Sequence, residues 1–164
     1  PFVVKGQTNS RKFQWSTHMY AETRRDAAVV ASRLQEDTLF HDQAIYARDY
    51  VPLVKLAEGF NGLPITKEFR VFVAFGHILS VGFYWASHLD DLGAVPPNDI
   101  PADFLAEAMG RIGDRASFYA LDVAQKEDGG WMVVTRKGQS GAAPYGIPEG
   151  ARVIIRDGQA VRTA

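Results

Sequence analysis

Lys5 closes the apolar run Phe2-Val3-Val4 and is followed by Gly6 and the polar loop Gln7-Thr8-Asn9-Ser10-Arg11-Lys12. An ammonium at a strand end, with N–H and O–H donors in the next turn, gathers what polyphosphate recognition requires into one small volume. A snorkelling lysine above a surface loop explains the same residues, and the loop lacks Walker-type glycine spacing. Arg70 poses a second choice. Alternation along Glu68–Ala74 puts Phe69, Val71 and Val73 on one face and Glu68, Arg70, Phe72 and Ala74 on the other. An arginine among large apolar residues needs a carboxylate or a phosphate to meet its fork. Glu68 on the same face is the internal candidate; a bound phosphate is the external one. Asp122, flanked by Leu121 and Val123, reads either as a hydrogen-bonded carboxylate or as an oxygen ligand for Mg²⁺.

Other chemistries find little support. His18, His41, His77 and His88 show no metal-ligand spacing. Ser140 sits in Gly138-Gln139-Ser140-Gly141, which is not the G-x-S-x-G of a nucleophile elbow. The absence of cysteine removes disulfides and thiolate chemistry, and suits a reducing, cytoplasmic setting. Eighteen basic residues against nineteen acidic ones give a net charge of −1, without the basic surplus expected of a nucleic-acid-binding domain. Arg11, Lys12 and the aromatics Phe13, Trp15, Tyr20, Phe83, Tyr84 and Trp85 leave nucleic-acid ends as a minor reading, with wall or core packing the commoner role for such aromatics. No run reaches the roughly 18 apolar residues of a membrane span, and the first residues do not form a signal peptide.

The elements that must position these residues are legible in part. A strand at Phe2–Gly6 precedes a second, aromatic strand expected at Phe13–Tyr20. Ala27, Val30, Ala31 and Leu34 predict a helix over Thr23–Leu34, opened by Thr23 with Asp26, whose short side chain makes the capping box imperfect. Gln43–Val51 alternates as a strand stopped by Pro52. Glu68–Ala74 and His77–Trp85 flank the turn Phe75-Gly76, and a second helix is expected over Asp103–Ile112. Phe118–Ala124 and Gly130–Thr135 form a further pair, and Asp157-Gly158 marks a hairpin near the C-terminus. Antiparallel pairs with two interspersed helices predict an α+β fold.

Taken in order, Phe2-Val3-Val4-Lys5-Gly6, Thr8–Lys12, Tyr46–Leu53, Asn61–Phe72, Gly82–Trp85 and Ala120–Ala124 resemble the ATP-grasp domain. The likeness is strongest to a bacterial and phage clade of that family, and it covers about Pro1 to Val134. It implies mostly antiparallel sheets and a nucleotide cleft between two subdomains. Lys5 would contact the phosphates of ATP, and Ser10, Arg11 and Lys12 would form a mobile flap. Tyr46, Arg48, Tyr50 and Val51 would belong to the hinge that meets adenine. Arg70 would stabilise the transferring phosphoryl group, and Asp122 would hold Mg²⁺. The implied reaction activates a carboxylate as an acyl phosphate, which an amine or thiol attacks; Lys5 and Arg70 would be its catalytic cations.

The pattern also departs from the family. The relatives begin well before this lysine, so the chain is expected to be part of a longer protein. The strand after Gly130-Trp131 normally ends in a glutamate and then an asparagine or aspartate. Here Thr135, Arg136 and Lys137 stand instead, bringing positive charge toward the expected magnesium site. That motivates a second expectation, a degenerate fold that binds nucleotide without turnover. The expected organisation is a lysine and flap subdomain with its hinge strand over 1–53, a phosphate and metal subdomain over 54–141, and a hairpin tail over 142–164.

Overall fold

A computed structural model describes residues 1–7, 10–40, 42–113, 116–138, 153–156 and 159–162. The chain divides into two compact units, Pro1–Ile65 and Thr66–Ala164. Among the described residues no helix is long and apolar enough to cross a membrane.

In the first unit, β1 (Phe2–Gly6) is followed by a 3₁₀ turn at Lys12–Gln14, the short helix α1 (Trp15–His18) and the two-residue strand β2 (Tyr20–Ala21). The long helix α2 (Arg24–Glu36) leads to β3 (Ile45–Asp49). The sheet order is β2-β1-β3, with both pairings antiparallel. Thr23 caps α2: its Oγ1 accepts from the Asp26 amide at 3.2 Å while Asp26 Oδ2 accepts from the Thr23 amide at 3.0 Å. The shorter acid therefore completes the reciprocal box, a device worth about 1 kcal/mol. Ala27, Val30 and Leu34 of α2 pack with Val4, Ala21 and Phe40 to form the core, so α2 covers the sheet face that carries Phe2 and Val4. Beyond β3, the strands β4 (Lys55–Glu58) and β5 (Pro64–Thr66) form a separate two-stranded sheet.

The aromatic strand expected at Phe13–Tyr20 is instead largely helical. The Met19 amide donates to the Trp15 carbonyl at 3.1 Å, closing a helical turn, and only Tyr20–Ala21 joins the sheet. Phe13 is 65% exposed, so no buried alternating face holds this segment extended.

The second unit is a four-stranded antiparallel sheet in the order β7-β6-β8-β9. Its strands are β6 (Glu68–Ala74), β7 (His77–Phe83), β8 (Phe118–Gln125) and β9 (Trp131–Gly138). The helices α3 (Leu89–Leu92) and α4 (Ala102–Ile112) lie between β7 and β8 in sequence. Phe69, Val71 and Val73 of β6 and Tyr119, Leu121 and Val123 of β8 form one core with Leu105 and Ile112 of α4. One face of this sheet is thereby covered. The turn at Phe75-Gly76 puts both residues at positive φ (48° and 76°), as a two-residue hairpin demands, and Phe75 is 80% exposed there. Near the C-terminus β10 (Val153–Arg156) pairs antiparallel with β11 (Gln159–Arg162), as the Asp157-Gly158 signal predicts. Asp157 and Gly158 themselves, like Ser140, lie outside the described residues.

Candidate functional site

Ladder partners in an antiparallel sheet point to the same side. Val4 faces α2, so Val3 and Lys5 project from the opposite face of β1. Their partners are Tyr20 opposite Val3 on β2, and Arg48 and Tyr46 opposite Val3 and Lys5 on β3. The register thus assembles Lys5, Tyr46 and Arg48 on one face, with Tyr20 across the sheet. Tyr46 is 52% exposed. Tyr50 continues the ladder through its amide, which donates to the Pro1 carbonyl at 3.0 Å, and Val51 follows in extended chain.

Tyr20 meets Tyr50 edge to face, with ring centroids 5.5 Å apart, and stacks on Trp15 at 6.3 Å. Its hydroxyl donates to Glu22. That hydrogen bond, with some desolvation, pushes the phenol up to about 12 from its usual 10. A proton held more tightly in the folded state adds stability that is fully present below pH 10 and lost as pH rises toward 12. Glu22→Gln is expected to return the Tyr20 titration toward 10, followed by phenolate absorbance on alkaline titration.

The loop after β1 is tied down. Arg11 donates through Nε and Nη2 to the two oxygens of Asp37, both at 2.7 Å, just past the end of α2. Asp37 also accepts from the Leu39 amide at 2.9 Å. The Leu39 amide and the Arg11 guanidinium hold the Asp37 carboxyl below its usual range. Arg11 lies over the Phe40 ring, 5.7 Å from its centroid, and Phe40 is fully buried. Ser10, Arg11, Lys12, Phe13, Gln14, His18 and Asp37 line a pocket of about 350 Å³. Asn61, itself at φ 54°, donates from Nδ2 to the Phe13 carbonyl at 2.8 Å and so braces the same segment. Thr8 and Asn9 lie outside the described residues.

Gly6 is required by this arrangement. A Cβ at residue 6 would stand 2.4 Å from Phe40 Cδ1 and 2.9 Å from Gln43 Oε1. Phe40 has no empty space to move into. Gly6→Ala is expected to cost about 1–3 kcal/mol through overpacking. It should also loosen the Arg11–Asp37 anchor that stands over Phe40, which chemical denaturation together with the Asp37 titration would show.

In the second unit Arg70 and Asp122 are ladder partners on β6 and β8, on the sheet face opposite the α4 core. Arg70 Nε donates to Asp122 Oδ1 at 2.6 Å and Nη2 donates to Oδ2 at 2.9 Å. The guanidinium carbon lies 4.9 Å from the centre of the Tyr84 ring. Hydrogen bonding to Asp122 raises the Arg70 pKa against the opposing effect of burial. The Asp122 side chain is 5% exposed and that of Arg70 30%, so the pair is sunk at its carboxylate end and open at its cationic end. Gly82 is the partner of Arg70 on β7, and no atom lies within 4 Å of where its Cβ would stand. On the other side, the β8–β9 register shifts between Asp122 and Val123, with Asp122 opposite Thr135 and Val123 opposite Val133. Bulges of this kind re-aim side chains beside functional sites.

The Asp122 carboxylate is thus bound through both oxygens to a cation of its own chain. Glu68, the other nearby acid on this face, is buried and accepts from Thr66 Oγ1 at 3.3 Å. Among the described residues no group of three or more His, Asp or Glu side chains forms a cation cage. As arranged, these residues do not fit a magnesium ion, which would have to displace Arg70 from Asp122 to gain one ligand.

The sequence identified Arg70 and Asp122 separately but set Glu68 as the internal partner of Arg70. Tyr84, Asp37, Phe40 and Asn61 were missed. Tyr84 carried a signal, since it lies two residues beyond Gly82, on the same side of a strand expected to pair with β6. Asp37 lies 26 residues from Arg11, and no local pattern links them.

The sequence matches a family model described as an ATP-grasp domain, the third family of one clade of that fold, over residues 1–154. The mixed helices and antiparallel sheets agree with that fold. Comparison with curated proteins found no match, and neither did comparison with solved structures. The chain belongs to the ATP-grasp family.

Proposed function

We propose that this ATP-grasp domain uses ATP to activate a carboxylate for attack by an amine or thiol. A carboxylate oxygen bonds to the γ-phosphorus as the bond to ADP breaks. The nucleophile's nitrogen or sulfur then bonds to the acyl carbon, phosphate leaves, and the nucleophile gives up its proton. Negative charge gathers on the transferring phosphoryl oxygens, so fixed cations lower the barrier if they are in place beforehand.

Arg70 is assigned to that group, and Lys5 to the nucleotide phosphates. Ser10, Arg11 and Lys12 are assigned to the phosphate flap, and Tyr46, Arg48, Tyr50 and Val51 to the adenine end. The observation that carries the reading is the Arg70 fork, charged and held along one edge by a buried carboxylate, on the open face of a sheet in an ATP-grasp chain. Magnesium, which ATP-grasp enzymes use to shield the triphosphate, is left out of these steps.

A second reading, nucleotide binding without turnover, is favoured by the commitment of Asp122 to Arg70. One experiment separates the two. The chain, with the segment that precedes it in its parent protein, is incubated with ATP, MgCl₂ and pooled carboxylates, and acyl phosphate is trapped with hydroxylamine. Hydroxamate formed together with ADP supports the ligase. ATP binding with neither product supports the binding module. No ATP binding at all sinks both.

A further inference from the structure

The contacts around Arg70 use its guanidinium unevenly. Asp122 takes the side edge made by Nε and Nη2, and Tyr84 lies against the flat face. Neither hydrogen bond uses Nη1, so the terminal edge formed by Nη1 and the second Nη2 proton is left for a ligand. A guanidinium fixed in this way presents two parallel donors with little remaining freedom, the geometry that meets a pair of oxygens on phosphate or carboxylate.

We propose that Asp122 is a positioning residue for Arg70 and not a ligand for a divalent cation. It aims the terminal edge of Arg70 at an anion bearing two oxygens. On the reading above, that anion is the terminal phosphate of the nucleotide, and the inference rests on that reading for the identity of the anion alone.

Three observations carry it. Both oxygens of Asp122 are engaged by one cation, which leaves the ion no better than a contest with a guanidinium already in contact. The carboxylate end of the pair is buried and the cationic end open, the order expected of an aimed arginine and the reverse of an acid offered to a solvated metal. Tyr84 restrains the remaining rotation, and Gly82 opposite Arg70 keeps the neighbouring strand clear of the guanidinium.

The test follows the Nε–H resonance of Arg70 by ¹⁵N NMR, in the full chain and first in EDTA. The resonance is identified by its disappearance in Arg70→Lys. Millimolar MgCl₂ is expected to leave it in place in the wild type, and Asp122→Asn is expected to shift it or broaden it away. Inorganic triphosphate in EDTA is expected to move it in the wild type, and Asp122→Asn to weaken triphosphate binding about tenfold, the loss of roughly one charge-assisted hydrogen bond. A resonance that moves with MgCl₂ alone, or that ignores Asp122→Asn, overturns the proposal. The magnesium arm needs no variant beyond the assignment, so a folding defect in Asp122→Asn does not blunt it. Should the magnesium and Asp122→Asn arms behave as expected while neither ATP nor triphosphate binds, the nucleotide reading fails and the positioning role of Asp122 stands.

Discussion

Arg70→Ala is expected to destabilise the Thr66–Ala164 unit by about 3–5 kcal/mol, because it strands the buried Asp122 carboxylate without its partner. In a chain of this size that corresponds to a fall in melting temperature on the order of 10 °C. The double variant Arg70→Met with Asp122→Leu removes both charges and should regain most of the lost stability, since a well-packed apolar pair often replaces a buried ion pair without penalty. ATP binding should not return with it. Calorimetric melting of the two variants, beside nucleotide titration of the double variant, separates the structural part of the pair from its functional part. Recovery of both stability and ATP affinity in the double variant would remove Arg70 from the phosphate site.

Lys5→Ala is expected to behave in the opposite way. Lys5 stands on the face of β1 away from the α2 core, so its truncation leaves Val4, Leu34 and Phe40 packed as before. The melting temperature should change little. A charge-assisted hydrogen bond to phosphate contributes about 1.5–3 kcal/mol, so ATP affinity should fall by roughly 10- to 100-fold. Lys5→Arg should restore part of it, because the charge returns while the reach and donor geometry differ. A large fall in stability with unchanged affinity would identify Lys5 as a structural residue.

How far these features could be read from the chain depended on the range of the forces involved. The alternation of Phe69, Val71 and Val73 predicted a buried face, and the structure packs all three with α4. Arg70 was correctly placed on the other face, but its partner was not Glu68. Same-face residues within one strand are separated by two residue rises, roughly 7 Å, whereas ladder partners stand about 5 Å apart. Asp122 is such a ladder partner, 52 residues away, and the register that brings it there is set by tertiary pairing. The capping box of α2 was visible because it is local. The segment Phe13–Tyr20 was misread because aromatic residues favour strands only where a sheet face receives them, and here Phe13 lies largely in solvent. The strands β4 and β5 passed unnoticed for a related reason. Lys55-Leu56-Ala57-Glu58 has no β-branched residue and no alternation, so pairing alone makes it a strand.

The family likeness was carried by the order of the pieces, and the match over residues 1–154 agrees with it. Within the site, the loop residue Arg11 shows how a resemblance and a structure can speak to different properties. The likeness assigns it to a mobile flap, while in this structure it is bound to Asp37 through two hydrogen bonds and lies over the buried Phe40 ring. An anchor of this kind leaves Ser10 and Lys12 on either side of Arg11 lining the same pocket.

The central claim is that Lys5 and Arg70 hold the phosphates of ATP. Isothermal titration of ATP into the full chain, in EDTA and again in MgCl₂, tests it most directly when the wild type is run beside Lys5→Ala. The account predicts saturable binding by the wild type in both buffers and a loss of at least about tenfold in Lys5→Ala. Equal affinity of the two proteins, or no binding by the wild type in either buffer, would contradict it.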